Sequence, residues 1–251
     1  MQQDIVIFAP HQDDEILGAY EIIRQQPEHT YVVFLTNGDY EGAEVAKTRW
    51  HESRKALTHL GVPEDHMIAL GYADTGMPRE VSFLWRLWHE GDQTLVPSRV
   101  GAHTYHPDGG KEYHLAHWGA HAAYTRLAVL ADVRGVLEDI RPGTIYVTNE
   151  DDVHGDHAAA PLFVHAAIDQ MADYTPTIYR YHVHGGDDER WPNRTGDVFE
   201  KPLNLDESQW EEFLQNGHLV TVSMSKEEEN QTVNFNGYNL AVYEEIKEER
   251  K

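Results

Sequence analysis

Residues 4–15 read DIVIFAPHQDDE, and they indicate the class of fold to which the chain belongs. The apolar run in residues 4–10 shows no polar alternation, which is typical of a strand buried on both faces of a parallel sheet. The run ends in proline and histidine. Residues 15–26 then carry apolar side chains at helical spacing. A buried strand followed by an amphipathic helix predicts the first unit of an α/β fold.

The alternation of strand and helix continues along the chain. Further strands are predicted at residues 31–36, 67–70, 144–148 and 177–184, and further helices at residues 43–60, 81–88, 117–140 and 158–173. We therefore expect an α/β, Rossmann-like fold in which helices flank a mainly parallel sheet. No clear linker interrupts the sequence, so residues 1–251 are predicted to form a single domain. Its core is expected at residues 4–185, with a less regular C-terminal elaboration at residues 186–251.

The composition restricts the chemistry that the chain can perform. Cysteine is absent, which excludes a thiolate nucleophile and any Cys-ligated metal, whereas 17 histidines leave His and carboxylate ligation open. The formal net charge of −23 disfavours contact with nucleic acid and with anionic membranes, so we expect neither partner. The sequence shows neither a secretory signal pattern nor an apolar run of about 18–20 residues, which predicts a cytoplasmic location.

Two polar segments follow predicted strands, PHQDDE at residues 10–15 and DDVHGDH at residues 151–157. In open α/β sheets, ligands bind at the carboxyl ends of the strands, so the two segments are expected to meet in one crevice. His11 and Asp14 are three residues apart and can point the same way. A histidine from the second segment would complete the three-ligand set of a catalytic zinc site. Asp13 is then the natural carboxylate to accept a proton from water, and another histidine could donate to an oxyanion.

Each segment on its own has a simpler interpretation. An acidic run at the start of a helix commonly caps that helix and complements its dipole. Two histidines three residues apart are commonly surface residues. The occurrence of both segments at strand ends favours the metal site over these alternatives.

The two segments resemble the motifs of the PIG-L/LmbE-like zinc deacetylases, which remove an acetyl group from molecules that contain N-acetylglucosamine. Residues 10–15 resemble the family motif A-H-P-D-D-E, with Pro for Ala and Gln for Pro, and residues 154–157 resemble H-P-D-H, with Gly for Pro. The resemblance implies that His11, Asp14 and His157 bind one catalytic zinc ion, for which other divalent metals can substitute.

The same resemblance implies roles for five more residues. Asp13 is the expected general base, His154 is expected to stabilise the transition state, and Asp156 is expected to support the site through the metal ligands. A helix similar to the family's R-x-x-E-x-x-x-A-x-x-x-L-G pattern makes Arg49 a candidate for substrate binding. The segment GYAD at residues 71–74 makes Asp74 a candidate for contact with sugar hydroxyls.

The resemblance implies a hydrolase that removes an N-acetyl group from a small molecule or oligosaccharide containing N-acetylglucosamine, with a small-molecule amino-sugar substrate as partner. It does not decide whether the protein forms a homo-oligomer, and it does not identify the group attached to the sugar. Three alternatives remain: an amidase that cleaves a larger acyl group, a metal-dependent phosphoesterase, and a non-enzymatic His-rich metal-binding protein. The low number of Lys and Arg residues argues against the phosphoesterase.

A second group of histidines lies in the middle of the chain, and it consists of His103, His106, His114, His117 and His121. The last three have i, i+3, i+7 spacing and are predicted to share one helical face. They are interpreted either as a second metal site or, as we favour, as partly exposed residues near the mouth of the crevice. His182 and His184 alternate in the last predicted strand, where either the crevice or the surface explains them.

Overall fold

The computed structural model describes residues 3–181, 183–184 and 244–245. It contains a six-stranded sheet in the order β3-β2-β1-β4-β5-β6, in which the first five strands are parallel and β6 is antiparallel to β5. The strands are β1 (Ile5–Ala9), β2 (Thr30–Thr36), β3 (Met67–Tyr72), β4 (Thr144–Thr148), β5 (Thr177–Tyr181) and β6 (Glu244–Glu245). The predicted α/β, Rossmann-like fold with a mainly parallel sheet is confirmed.

Helices cover both faces of this sheet. They are α1 (Asp14–Gln25), α2 (Ala43–Leu60), α3 (Phe83–His89), α4 (Tyr113–Trp118), α5 (Arg126–Ile140) and α6 (Gly155–Asp169), with 3₁₀ turns at Pro27–His29 and Glu64–His66. Val6 and Phe8 of β1 belong to the apolar cluster that includes α3, α5 and α6. Ile5, Ile7 and Ala9 belong to the opposite cluster, with α1 and α2. Burial on both faces explains why β1 is an uninterrupted apolar run.

The strand order creates a crevice between β1 and β4. From β1 the chain proceeds to β2 and β3 on one side of the sheet, and β4 and β5 lie on the other side. A reversal of this kind separates the loops that follow the two central strands, and ligands of open α/β sheets bind there. The polar segments at residues 10–15 and 151–157 follow β1 and β4, as predicted.

The single helix predicted over residues 117–140 is wrong. The structure has two helices, because Gly119 ends α4 in the left-handed conformation with φ 79°. Thr125 then starts α5 as its N-cap, and its hydroxyl accepts a hydrogen bond from the backbone N–H of Ala128 at 3.2 Å. Gly119 and Thr125 are both residue types that commonly cap helices, but the helical spacing of apolar residues on either side of them favoured one continuous helix in the prediction.

The predicted C-terminal elaboration, residues 186–251, lies outside the described residues except for β6. The division of the chain into core and elaboration therefore stays a prediction. Among the residues that the structure describes, no helix has the length and apolar character needed to cross a membrane.

Candidate active site

The loops after β1 and β4 meet and bury their polar side chains together. The α1 helix begins at Asp14, and α6 begins at Gly155 with His154 as its N-cap. His11 and His154 are 4% and 6% exposed, and Asp14 and His157 are almost completely buried. These histidines are therefore not surface residues. Clustering of ionisable side chains in a buried crevice indicates a functional site rather than a solvated face.

His11, Asp14 and His157 form a compact triangle of ligand atoms. His11 Nδ1 lies 3.1 Å from His157 Nε2 and 3.4 Å from Asp14 Oδ2, and His157 Nε2 lies 3.2 Å from the same carboxylate oxygen. Ligand atoms around a tetrahedral zinc ion are about 3.3 Å apart when the bonds are about 2.0–2.1 Å long. Two imidazole nitrogens and one carboxylate oxygen at these separations fit a catalytic metal ion and leave one side open.

The nitrogen of each ligand histidine that faces away from the triangle contacts a buried carboxylate. His11 Nε2 lies 3.2 Å from Asp156 Oδ2, and His157 Nδ1 lies 3.1 Å from Asp152 Oδ2. Asp156 Oδ1 also accepts a hydrogen bond from a backbone N–H of α3, that of Leu84, at 2.7 Å. Carboxylates that accept a proton from the outer ring nitrogen fix the ring and direct its other nitrogen toward a metal.

Asp13 lies beside the triangle in a strained backbone conformation. Its φ is 117°, which is rare for a residue with a side chain, and its N–H donates to Glu15 Oε2 at 2.9 Å. Its carboxylate makes no capping hydrogen bond to α1 and instead lies 3.2 Å from Arg49 Nη2. Helix capping therefore does not explain this aspartate. Burial raises the pKa of Asp13 to about 7, although the Arg49 guanidinium opposes the rise.

His154 faces the triangle from the other loop. Its ring centroid is 4.5 Å from that of His11 and 4.9 Å from that of His157. Burial, together with the positive charge of the neighbouring imidazoles, holds the pKa of His154 well below its ordinary value. The backbone N–H of Asp156 donates to His154 Nδ1 at 3.2 Å, which assigns the proton of the neutral ring to Nε2.

The candidate residues for substrate binding lie on the β2–β3 side. Asp74 is 8% exposed, and its Oδ2 lies 3.9 Å from His11 Nε2. Arg49 Nη2 donates to the backbone oxygen of Gln12 at 2.6 Å as well as facing Asp13. In this arrangement Arg49 contacts the loop that carries the first motif.

Sequence reasoning did not single out Asp152 and gave no role to His184. Asp152 Oδ2 accepts hydrogen bonds from the backbone N–H groups of Val183 and His184 at 3.2 and 3.0 Å, and Asp152 Oδ1 accepts one from the N–H of His154 at 2.9 Å. The ring of His184 has its centroid 4.7 Å from that of His157. A signal was available for both residues, because Asp152 lies in the second motif and His184 follows β5 at the edge where the site forms.

The central histidines do not share one helical face. Because α4 ends at Trp118, His121 lies beyond the helix that carries His114 and His117. Each ring contacts a different carboxylate: His114 pairs with Asp132, His117 with Asp139, and His121 with Glu112. Besides the triangle, three groups among the described residues bring possible ligand atoms within 4.8 Å of one another, and all of them lie in the crevice: His11/His154/His157, His11/Asp74/His154/Asp156 and Asp14/His157/His184.

Glycine at position 155 has a structural reason. Its N–H donates to the backbone oxygen of Met77 at 2.9 Å, and a Cβ built at this position lies 2.5 Å from Ser82 Cβ and Oγ. Proline, the usual residue of the resembled motif, cannot make this hydrogen bond. Gly155 therefore holds the loop before α3 against the second motif.

Comparisons with known proteins concern the family and the fold of the chain. The profile of the PIG-L family, described as GlcNAc-PI de-N-acetylase, matches residues 6–168. The structure is similar to that of an N,N'-diacetylchitobiose deacetylase from Pyrococcus horikoshii, with 14% sequence identity, a TM-score of 0.57 and coverage of 97% of this chain and 84% of that one. No curated protein sequence matches the chain significantly.

Two further solved structures with the same fold are also named as deacetylases. A zinc-inhibited form of the teicoplanin deacetylase Orf2 has 12% identity and a TM-score of 0.55, and covers 93% of this chain and 91% of that one. The A40926 pseudoaglycone deacetylase Dbv21 has 13% identity and a TM-score of 0.56, with coverage of 94% and 89%. At these identities the likeness concerns the fold.

Proposed function

The chain belongs to the PIG-L family of deacetylases, and on that premise we propose that it is a zinc-dependent hydrolase that removes the N-acetyl group from a small molecule or oligosaccharide containing N-acetylglucosamine. The observation that carries the proposal is the triangle of His11, Asp14 and His157, flanked by Asp13 on one side and His154 on the other. The triangle supplies metal ligands, and the two flanking residues supply a proton acceptor and a proton donor.

His11, Asp14 and His157 would hold the ion through Nδ1, Oδ2 and Nε2, respectively. A zinc ion bound there polarises the acetamide carbonyl and lowers the pKa of water. Asp156 and Asp152 keep the two imidazole rings turned toward this position, since each accepts from the outer ring nitrogen. The ligands are thereby oriented before an ion binds.

Asp13 is proposed as the general base. Burial of the Asp13 carboxylate raises its pKa to about 7, toward the range in which a general base is most effective. Asp13 accepts a proton from the attacking water and then delivers it to the departing nitrogen. The C–N bond breaks, and the products are acetate and a free amine. Arg49, 3.2 Å away, holds the carboxylate in one orientation.

His154 is proposed to stabilise the negative oxygen that forms on the acetyl carbon. The hydrogen bond from the Asp156 N–H to Nδ1 leaves the proton on Nε2, so the neutral ring has a donor available. A donor in place before the reaction strengthens its interaction with charge that develops only in the transition state. Removal of one such donor commonly costs about 100- to 1,000-fold in kcat.

Substrate binding is proposed for Arg49 and Asp74. The Asp74 carboxylate lies close to His11 and also accepts a hydrogen bond from the N–H of Gly76 at 2.9 Å. We propose that Asp74 Oδ2, the oxygen that lies 3.9 Å from His11 Nε2, accepts from a sugar hydroxyl beside the acetamide group. Because the Arg49 guanidinium already contacts Asp13 and Gln12, its proposed contribution combines substrate binding with orientation of the base.

The experiment that tests the proposal measures acetate released from N-acetylglucosamine and from its oligosaccharides by the zinc-loaded protein. Asp13→Asn should keep bound zinc and lose nearly all acetate release, because an amide cannot accept the proton. Asp151→Asn is the control and should behave like the wild type, because the Asp151 side chain is exposed. Acetate release by Asp13→Asn at the wild-type rate would reject the assigned base.

The same assay separates the alternative functions. Release of a longer carboxylate but no acetate would indicate an amidase for larger acyl groups. Release of inorganic phosphate from phosphate esters would indicate a phosphoesterase. Bound zinc without turnover of any of these substrates would indicate a metal-binding protein.

A further inference from the structure

His184 is a third imidazole within reach of the ion, in addition to those of His11 and His157. Asp14, His157 and His184 each present a ligand atom within 4.8 Å of the others. This set shares two members with the triangle described above. Asp14 and His157 therefore have two histidines close to them, His11 and His184.

The surroundings of His184 are those of a metal ligand rather than of an apolar core residue. Its ring centroid lies 4.7 Å from that of His157 and 5.5 Å from that of His154. Imidazoles at these separations can each offer a ring nitrogen to one cation, and imidazole is a common zinc ligand.

The backbone holds His184 in this position through the carboxylate that orients His157. Asp152 Oδ2 accepts from His157 Nδ1 at 3.1 Å and from the N–H of His184 at 3.0 Å. The N–H of Val183 donates to the same oxygen at 3.2 Å, and the Val183 side chain is buried. One carboxylate thus ties the end of β5 to the ligand from α6, so the two imidazoles are positioned together.

We propose that His184 is a fourth protein ligand of the metal ion. The ligand atoms of Asp14, His157 and His184 lie within 4.8 Å of one another. Ligand atoms around a tetrahedral zinc ion are about 3.3 Å apart, so rotation of the His184 side chain has to shorten these distances by at most about 1.5 Å. Zinc in catalytic sites can expand from four ligands to five, so a fourth protein ligand would still allow a water molecule to bind. This inference rests on the proposed metal site but not on the identity of the substrate.

The test counts imidazole ligands by X-ray absorption at the zinc edge and measures the zinc dissociation constant by competition with a chelator. We expect three imidazoles in the wild type and two in His184→Ala. The dissociation constant of His184→Ala should rise by no less than the roughly 10- to 100-fold that loss of an outer hydrogen-bond partner costs. The control is His165→Ala, which removes a half-buried histidine of α6 outside the metal-binding groups and should retain wild-type values.

A second comparison does not depend on the fold of His184→Ala. His11→Ala should retain zinc through Asp14, His157 and His184, and the double variant His11→Ala/His184→Ala should lose it. Equal zinc loss in the single and double variants would overturn the inference, as would two imidazoles in both the wild type and His184→Ala. Three imidazoles in a wild type that releases no acetate would support this ligand and reject the deacetylase, whereas a wild type that binds no zinc would reject both.

Discussion

Asp152→Asn tests whether the carboxylate behind His157 prepares the metal site. Asp152 is fully buried and accepts four hydrogen bonds, from His157 Nδ1 and from the N–H groups of His154, Val183 and His184. An asparagine has nearly the same shape, but it carries no charge and can accept through only one oxygen. The substitution therefore changes electrostatics and hydrogen bonding with little change in volume.

The size of the effect follows from these contacts. The asparagine can keep its oxygen toward His157 and the end of β5, in which case its amide nitrogen faces the N–H of His154. The loss of one hydrogen bond to a charged group costs about 1.5–3 kcal/mol. Loss of an outer partner of a ligand histidine weakens metal affinity by about 10- to 100-fold, or about 1.4–2.7 kcal/mol. The first cost lowers the free energy of unfolding. The second predicts a zinc dissociation constant about 10- to 100-fold higher in Asp152→Asn, because a neutral amide is a weaker outer partner of His157 than a carboxylate.

The measurement is competition between the protein and a chelator of known zinc affinity, with far-UV circular dichroism as the check on folding. Asp151→Asn is the matched control, because the neighbouring aspartate is exposed and undergoes the same chemical change. We expect wild-type zinc affinity in this control. A folded Asp152→Asn variant with wild-type affinity would show that Asp152 does not orient His157 for the metal.

Three further predictions concern stability. Gly155→Ala should lower the free energy of unfolding, measured in urea, by about 1–3 kcal/mol, because the added Cβ would lie 2.5 Å from Ser82. The control Gly101→Ala should have little effect, because a Cβ at that position has no atom within 4 Å, and equal effects of the two substitutions would refute the packing argument. Zinc at 100 times its dissociation constant should raise the free energy of unfolding by about 2.7 kcal/mol, and an unchanged midpoint after chelation would contradict a site specific to the folded state. Burial raises the pKa of Asp39 to about 6, so its carboxyl stabilises the fold below about pH 4, and this contribution is lost as the pH rises through 6. Relative to Asp39→Asn, the wild type should therefore lose stability between pH 4 and 7. A difference in the free energy of unfolding between the two proteins that stays constant over this range would reject the pKa shift.

The sequence was sufficient for five of the six strands, although not for β6, and for the edge of the sheet where the polar segments meet. An apolar run with no alternation identifies a strand covered on both faces, and β1 is such a strand. Polar residues directly after two such strands had to lie at one edge, since parallel strands share their carboxyl ends. The two segments could therefore be brought together without knowledge of any contact, whereas the choice of His157 within the second segment came from the resemblance to the family motif.

Other features depend on contacts that local patterns do not encode. The spacing of His114, His117 and His121 suggested one helical face, but the left-handed Gly119 ends α4 before the third histidine. Gly155 differs from the resembled motif because a loop about 75 residues earlier packs against it, as its contact with Ser82 shows. The role of Asp152 arises from hydrogen bonds to the end of β5, which only the folded chain brings near.

The most direct test of a metal-dependent deacetylase in the β1–β4 crevice is anomalous diffraction at the zinc edge from crystals of the zinc-loaded protein. We expect one strong peak about 2.0–2.1 Å from His11 Nδ1, Asp14 Oδ2 and His157 Nε2. The absence of a peak in the crevice, or a peak only beside His114, His117 and His121, would contradict the proposed site and the chemistry derived from it.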